Sequence, residues 1–194
     1  PDDVVRRVGI TDIDLVDSGI KQARALGQYL RDHQLQPDVI FCAQLARTQQ
    51  TAQHAQIAMG TSLPLHALSI FNEIDYGVDE FKDESGVIER IGHAALKGWE
   101  QHAHVPDGWC VDPHVLIGNW QDFAARIDAE YANQRILVVT SNGIARFAPH
   151  LTGDFSGFCA TQAIKLKTGA FGMLTKKAAD EHWQCPQWNV RPNV

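Results

Sequence analysis

Two short, uninterrupted apolar runs, each placed between stretches of helical periodicity, constrain this sequence more than any other feature. The first is Val39-Ile40-Phe41-Cys42 and the second is Ile136-Leu137-Val138-Val139-Thr140. A strand that is apolar on both sides is buried on both faces, which requires helices above and below the sheet. The first run is preceded by Ile20, Ala23, Leu26 and Leu30 at helical spacing, opening on the capping pair Asp17 and Ser18 and running to about His33. It is followed by a second helical pattern from Leu45 to about Met59, with Gly60 as its stop. The second run follows a helix from Pro113 to Tyr131 and leads through Ser141-Asn142-Gly143 into a helical stretch to Leu151. Helix, strand, tight turn and helix, repeated, predict an α/β fold: a three-layer sandwich with a mostly parallel central sheet.

Residues 61–112 are interrupted by Pro64, Gly77, Gly86, Gly92, Gly98, Pro106 and Gly108, and read as an insertion with one or two short helices. Ala163 to Lys167 and Ala170 to Leu174, around Thr168-Gly169, read as a terminal hairpin. The 194 residues suffice for one domain, 1–194, with its own core. Seventeen Lys and Arg against 23 Asp and Glu give a net charge of −6, so the chain lacks the basic stripe that attracts a nucleic acid. A small anionic substrate needs only a local cluster of Arg. Cys42, Cys110, Cys159 and Cys185 stand singly, which predicts reduced thiols and a cytoplasmic location. No apolar run approaches the ~18 residues of a membrane span, so no membrane partner is expected.

Three stretches carry chemistry. Arg47 opens the helix after the first strand, where unpaired backbone N–H groups and a guanidinium fork together suit phosphate oxygens; the ordinary alternative is a solvated arginine. Ser141 and Asn142 follow the second strand, at the sheet edge where α/β proteins bind ligands, and either donate to an oxyanion or cap the next helix. Glu73 and Asp75 flank Ile74 in a loop, and one of them would serve as a general acid if burial raised its pKa. His102, His104, Asp107, Cys110, Asp112 and His114 crowd one segment but lack metal-ligand spacing, so no metal and no cofactor are expected there.

In order, these stretches resemble the histidine phosphatase superfamily, which includes the phosphoglycerate mutase-like proteins. Thr11-Asp12-Ile13-Asp14-Leu15-Val16-Asp17-Ser18-Gly19, with Gln22-Ala23, is similar to the family's entry to its first helix. Leu45-Ala46-Arg47-Thr48-Gln49-Gln50-Thr51-Ala52 resembles the helix start whose Arg binds the phosphoryl group. Glu73-Ile74-Asp75-Tyr76-Gly77 resembles the segment whose Glu protonates the leaving oxygen, and Val138 to Arg146 resembles the strand and turn that carry the family's second active-site His. The resemblance implies a phosphomonoester hydrolase, or as the lesser expectation a phosphomutase, working through a phosphohistidine on a small phosphorylated substrate. It implies Glu73 and Ser141 as catalytic, and Arg47, Arg6, Arg7, Ser141 and Asn142 as phosphate-binding. Two departures stand out. No Arg-His-Gly triplet occurs, so the nucleophilic His is expected upstream of Pro1, and Ser141 occupies the position of the second His. The rival expectation from a different class is therefore a catalytically weak or inactive phosphate-binding protein on the same fold. A third, a metal-dependent hydrolase built on His102 to His114, rests on that loop alone.

Overall fold

A computed structural model describes residues 6–193. Helix α1 (Asp17–Asp32) leads into β1 (Val39–Cys42), α2 (Ala46–Met59) and the short strand β2 (Leu65–Ala67). Then come α3 (Glu84–His102), α4 (Pro113–Glu130), β3 (Ile136–Val139), α5 (Asn142–Ala145) and α6 (Phe155–Thr161), and finally β4 (Phe171–Thr175) and β5 (Gln184–Val190). The first three strands form a parallel sheet in the order β2-β1-β3. Ile40 lies opposite Leu65 on one side and opposite Leu137 on the other, so β1 is the central strand.

The apolar run of β1 serves two cores because successive side chains point to opposite faces. Ile40 and Cys42 face α1 and α2, where they meet Leu26, Leu30, Ala52, Ala55 and Met59. Phe41 and Ala43 face the other way, into a larger aromatic core with Phe71, Trp99, Trp109, Trp120 and Phe123. Helix α4 is driven onto that face by Phe123, whose ring meets Phe41 at 5.0 Å and Phe71 at 4.9 Å, both edge-on. A sheet with helices on both sides is the α/β sandwich that the two apolar runs predict.

Helix α1 approaches α2 closely at Gly27, where a Cβ would overlap the Ala55 carbonyl and the Ala58 side chain. Gly27→Ala is therefore expected to destabilise the protein by about 1–3 kcal/mol through overpacking, read as a lowered Tm in thermal unfolding.

Three local expectations are corrected. Helix α1 has Val16 at its N-cap with no side-chain cap, and Asp17 lies inside the first turn, where its charge still favours the helix dipole. The insertion holds the short helices expected of it: α3 is two helical stretches that meet at Gly92, whose φ 79° and ψ 159° lie outside the helical region. The helical stretch after Gly143 is a four-residue turn of α-helix followed by a 3-10 segment at Ala148–Thr152. The terminal hairpin pairs β4 with β5, antiparallel, and residues 163–167 form no strand. Among the described residues no ladder joins β3 to β4, although Phe171 of β4 packs against the same cluster as Val139 of β3.

Candidate active site

The parallel pairing of β1 with β3 brings two turns together. Cys42 lies opposite Val139, and the Ala43 N–H donates to the Val139 carbonyl at 3.0 Å, so the segments after both strands leave the sheet side by side. One leads to Arg47, the other to Ser141. A third segment joins them: the Thr140 hydroxyl donates to the Phe71 carbonyl at 2.7 Å and the Gln44 N–H donates to the Asn72 side chain at 2.8 Å. Glu73 follows directly.

Glu73 is 8% exposed. Its carboxyl accepts from its neighbour's Ile74 N–H at 2.9 Å and from the Gly143 N–H at 3.2 Å. This closeness depends on Gly143, where a Cβ would collide with the carboxyl. Burial pushes the Glu73 pKa up, against the pull of the two N–H groups and the charges of Arg146 and Arg47. A carboxyl with that balance keeps its proton to a higher pH than a solvated glutamate does. Asp75, the other carboxylate of the loop, accepts from the Gly77 N–H at 2.7 Å while its backbone bridges Cys110.

Arg47 does more than lie at the helix start. It donates to the carbonyls of Gly9 at 2.7 Å and Thr11 at 2.8 Å. Glu80 holds the same loop from the other side, accepting from the Gly9 and Thr11 N–H groups at 2.9 and 3.2 Å and from the Thr11 hydroxyl at 2.9 Å. The loop is thus clamped through both its donors and its acceptors, which fixes the guanidinium plane. Arg47 has further N–H groups beyond the two used in the clamp.

Ser141 is half-buried, and its side chain does not cap α5. That removes the ordinary helix-cap reading for this residue. The Asn142 side-chain oxygen is occupied by the Leu166 N–H at 3.1 Å, which ties the C-terminal region to the turn. Arg6 and Arg7 diverge. Arg6 is exposed and donates to the Phe81 carbonyl at 3.2 Å, whereas the Arg7 guanidinium turns inward over the rings of Tyr76 and Trp109, at 5.2 and 5.3 Å. The Arg7 Nε is buried with no acceptor.

Arg146 is a site neighbour that sequence reasoning did not single out, although it closes the motif around Ser141. It is 1% exposed, lies 3.9 Å over the Trp99 ring, and donates to the carbonyls of Trp99 at 2.7 Å and Asn142 at 3.3 Å. Burial pulls its pKa down to about 10, which leaves it charged at neutral pH. Its charge and those of Arg7 and Arg47 converge on the Glu73 and Tyr76 region. In the segment from His102 to His114, Asp112 caps α4 through the His114 N–H at 2.9 Å, and the Asp107 backbone carbonyl accepts from Arg90 at 2.8 Å. Among the described residues, no group of three His, Cys, Asp or Glu side chains is placed to hold a metal ion. Nor is any helix among them long and apolar enough to cross a membrane.

The family model of the histidine phosphatase superfamily (branch 1) matches residues 4–190. The 2,3-bisphosphoglycerate-dependent phosphoglycerate mutase of Tropheryma whipplei (strain Twist) is 32% identical over 99 residues, 50% of this chain and 45% of that protein. The chain spans about half the length of the curated relatives it matches. The structure of a mycobacterial glucosyl-3-phosphoglycerate phosphatase superposes with a TM-score of 0.80 at 20% identity, covering 97% of this chain and 94% of that one. A putative alpha-ribazole-5'-P phosphatase from Escherichia coli K-12 gives a TM-score of 0.71 at 21% identity, covering 96% and 88%. Both likenesses are of fold.

Proposed function

Because the chain belongs to the histidine phosphatase superfamily (branch 1), we propose that it is a phosphomonoester hydrolase in which Glu73 protonates the leaving alcohol. The observation that carries this reading is the burial of Glu73 within the field of two guanidinium groups, those of Arg146 and Arg47, with burial pushing its pKa up. Solved structures of the same fold include phosphatases, and the curated sequence relatives are phosphoglycerate mutases, which keeps mutase transfer as the lesser reading.

The proposed nucleophile is a His on a segment preceding Pro1. Two free edges support its placement: among the described residues, β3 pairs only with β1 and β4 only with β5. A strand filling the space between them would end beside Arg47 and Ser141. In the first step the imidazole nitrogen attacks phosphorus. The P–O bond to the alcohol breaks, and the leaving oxygen keeps the electron pair and takes the Glu73 proton. In the second step water attacks the phosphohistidine, Glu73 accepts the water proton, and the P–N bond breaks to release phosphate. The free N–H groups of Arg47 and the Ser141 hydroxyl hold the phosphoryl oxygens, and Arg7 and Arg146 make the local potential positive. On this reading residues 1–194 act as one domain, with the 61–112 insertion closing over the sheet edge.

Ser141 favours a second reading, a phosphate-binding protein that turns over slowly or not at all. A neutral hydroxyl stabilises the charge of the transition state less than an imidazolium does. Ser141→His separates the two. If Ser141 limits a working enzyme, the variant gains kcat on the order of a hundredfold. If the protein only binds phosphate, the variant stays inactive while phosphate affinity, followed by calorimetry, is retained.

A further inference from the structure

Glu73 also lines a cleft of about 350 Å³ between the 69–75 loop, the segment around Cys110 to Asp112, and the first turns of α4. Ile144, the residue after Gly143, completes the wall on the side of the Ser141 turn. An alcohol oxygen that takes the Glu73 proton must come within hydrogen-bond reach of that carboxyl, and the cleft that Glu73 lines offers room for the carbon skeleton behind the oxygen.

The chemistry of the cleft is one-sided. Val111, Val115 and Leu116 provide apolar surface, and Asp75 and Asp112 provide carboxylates. Among the described residues, no Lys, Arg or His side chain lines it. Asp75 and Asp112 each use one oxygen on backbone N–H groups, at 2.7 and 2.9 Å, and neither meets a cation within the cleft. Arg126, further along α4, lines an adjoining hollow, and its guanidinium is held by Glu130 at 2.9 Å. A second anionic group on the substrate would thus lose water to face carboxylates with no counter-charge, whereas an apolar or amine-bearing skeleton would be accommodated.

We infer that the leaving alcohol of this enzyme is uncharged or cationic with an apolar body, and that phosphomonoesters whose alcohol carries a carboxylate or a second phosphate are excluded. The inference rests on the hydrolase reading and names the substrate class of that site. It separates the two jobs of the site: the arginines around Glu73 take the one phosphoryl group, and the cleft rejects further negative charge.

The test compares phosphate release from glycerol 3-phosphate, n-butyl phosphate and 3-phosphoglycerate by the protein expressed with its complete natural N-terminus. All three release alkyl alcohols, so the charge on the skeleton is the main variable. Both uncharged-alcohol esters are expected to exceed 3-phosphoglycerate in kcat/KM on the order of a hundredfold. Val115→Arg places a cation in the cleft at a residue 55% exposed, where the fold tolerates it. It is expected to narrow that ratio about tenfold or more. Turnover of 3-phosphoglycerate equal to or faster than that of the other two overturns the inference while the hydrolase reading stands. A ratio unmoved by Val115→Arg overturns the cleft as the seat of the alcohol. Failure to hydrolyse any of the three removes the hydrolase reading, and the inference falls with it.

Discussion

Glu73→Gln is expected to lower kcat for an alkyl phosphomonoester by about 10²–10⁴-fold with KM little changed. The amide keeps the size of the carboxyl but has no proton to give to the leaving oxygen. The pH dependence carries the sign of the argument. Burial raises the Glu73 pKa, so the acid form persists above the ordinary carboxylate range, and activity falls as pH rises through the raised value. The alkaline limb of the kcat/KM profile should therefore be present in the parent protein and absent from Glu73→Gln. An ester with a much more acidic leaving group should rescue the variant, because its oxygen needs no proton in order to depart. A purely structural Glu73 would show neither the changed limb nor the rescue.

The second large effect is on stability. Asp79 is fully buried and accepts from Arg90, from the Trp109 indole N–H at 2.8 Å and from Lys82 at 3.3 Å. It thereby locks the turn after the Glu73 segment to α3 and to the Trp109 loop. Asp79→Ala leaves the Arg90 guanidinium and a buried indole without their acceptor, at a cost of roughly 3 kcal/mol. For a domain of this size that lowers Tm by about 6–12 °C. The partners hold the Asp79 pKa down to about 2, chiefly through the Arg90 hydrogen bonds. A depressed carboxylate stabilises the fold above its unfolded pKa and loses that contribution as pH falls through the folded value. The parent protein should thus lose about 2 kcal/mol between pH 5 and pH 2 from this group alone, and Asp79→Ala should not. Urea unfolding across that range measures the difference.

The parts of the fold that were legible in the sequence are those with a local physical signature. Two strands buried on both faces leave continuous apolar runs, and the turns at their ends placed Arg47 and Ser141 at the sheet edge in advance. The motif order added Glu73. The clamp of Glu80 on Gly9 and Thr11 was not legible, because it joins residues about 70 positions apart with no periodic trace. The same holds for Arg146 on Trp99 and for Arg90 and Trp109 on Asp79. Strand β5 was missed for a different reason. It contains Pro186, has no fully buried residue and pairs with β4 through register shifts, so neither alternation nor an apolar run marks it. The break that the glycines of the insertion announce falls at Gly92, where the helical backbone of α3 is interrupted. The contact of the Asn142 side-chain oxygen with the Leu166 backbone was likewise not legible, and it leaves the amide N–H2 group as the donor for an oxyanion.

Transfer of a labelled phosphoryl group from a phosphomonoester to the protein, with its complete natural N-terminus, tests the central claim most directly. Rapid quenching of the Glu73→Gln variant together with a substrate of acidic leaving group should trap the intermediate, because the second step also needs the Glu73 carboxylate to accept a proton from water. The account predicts label that is stable to base, labile to acid and abolished by Arg47→Ala. Free phosphate release with no labelled protein, or no transfer from any ester, would contradict it.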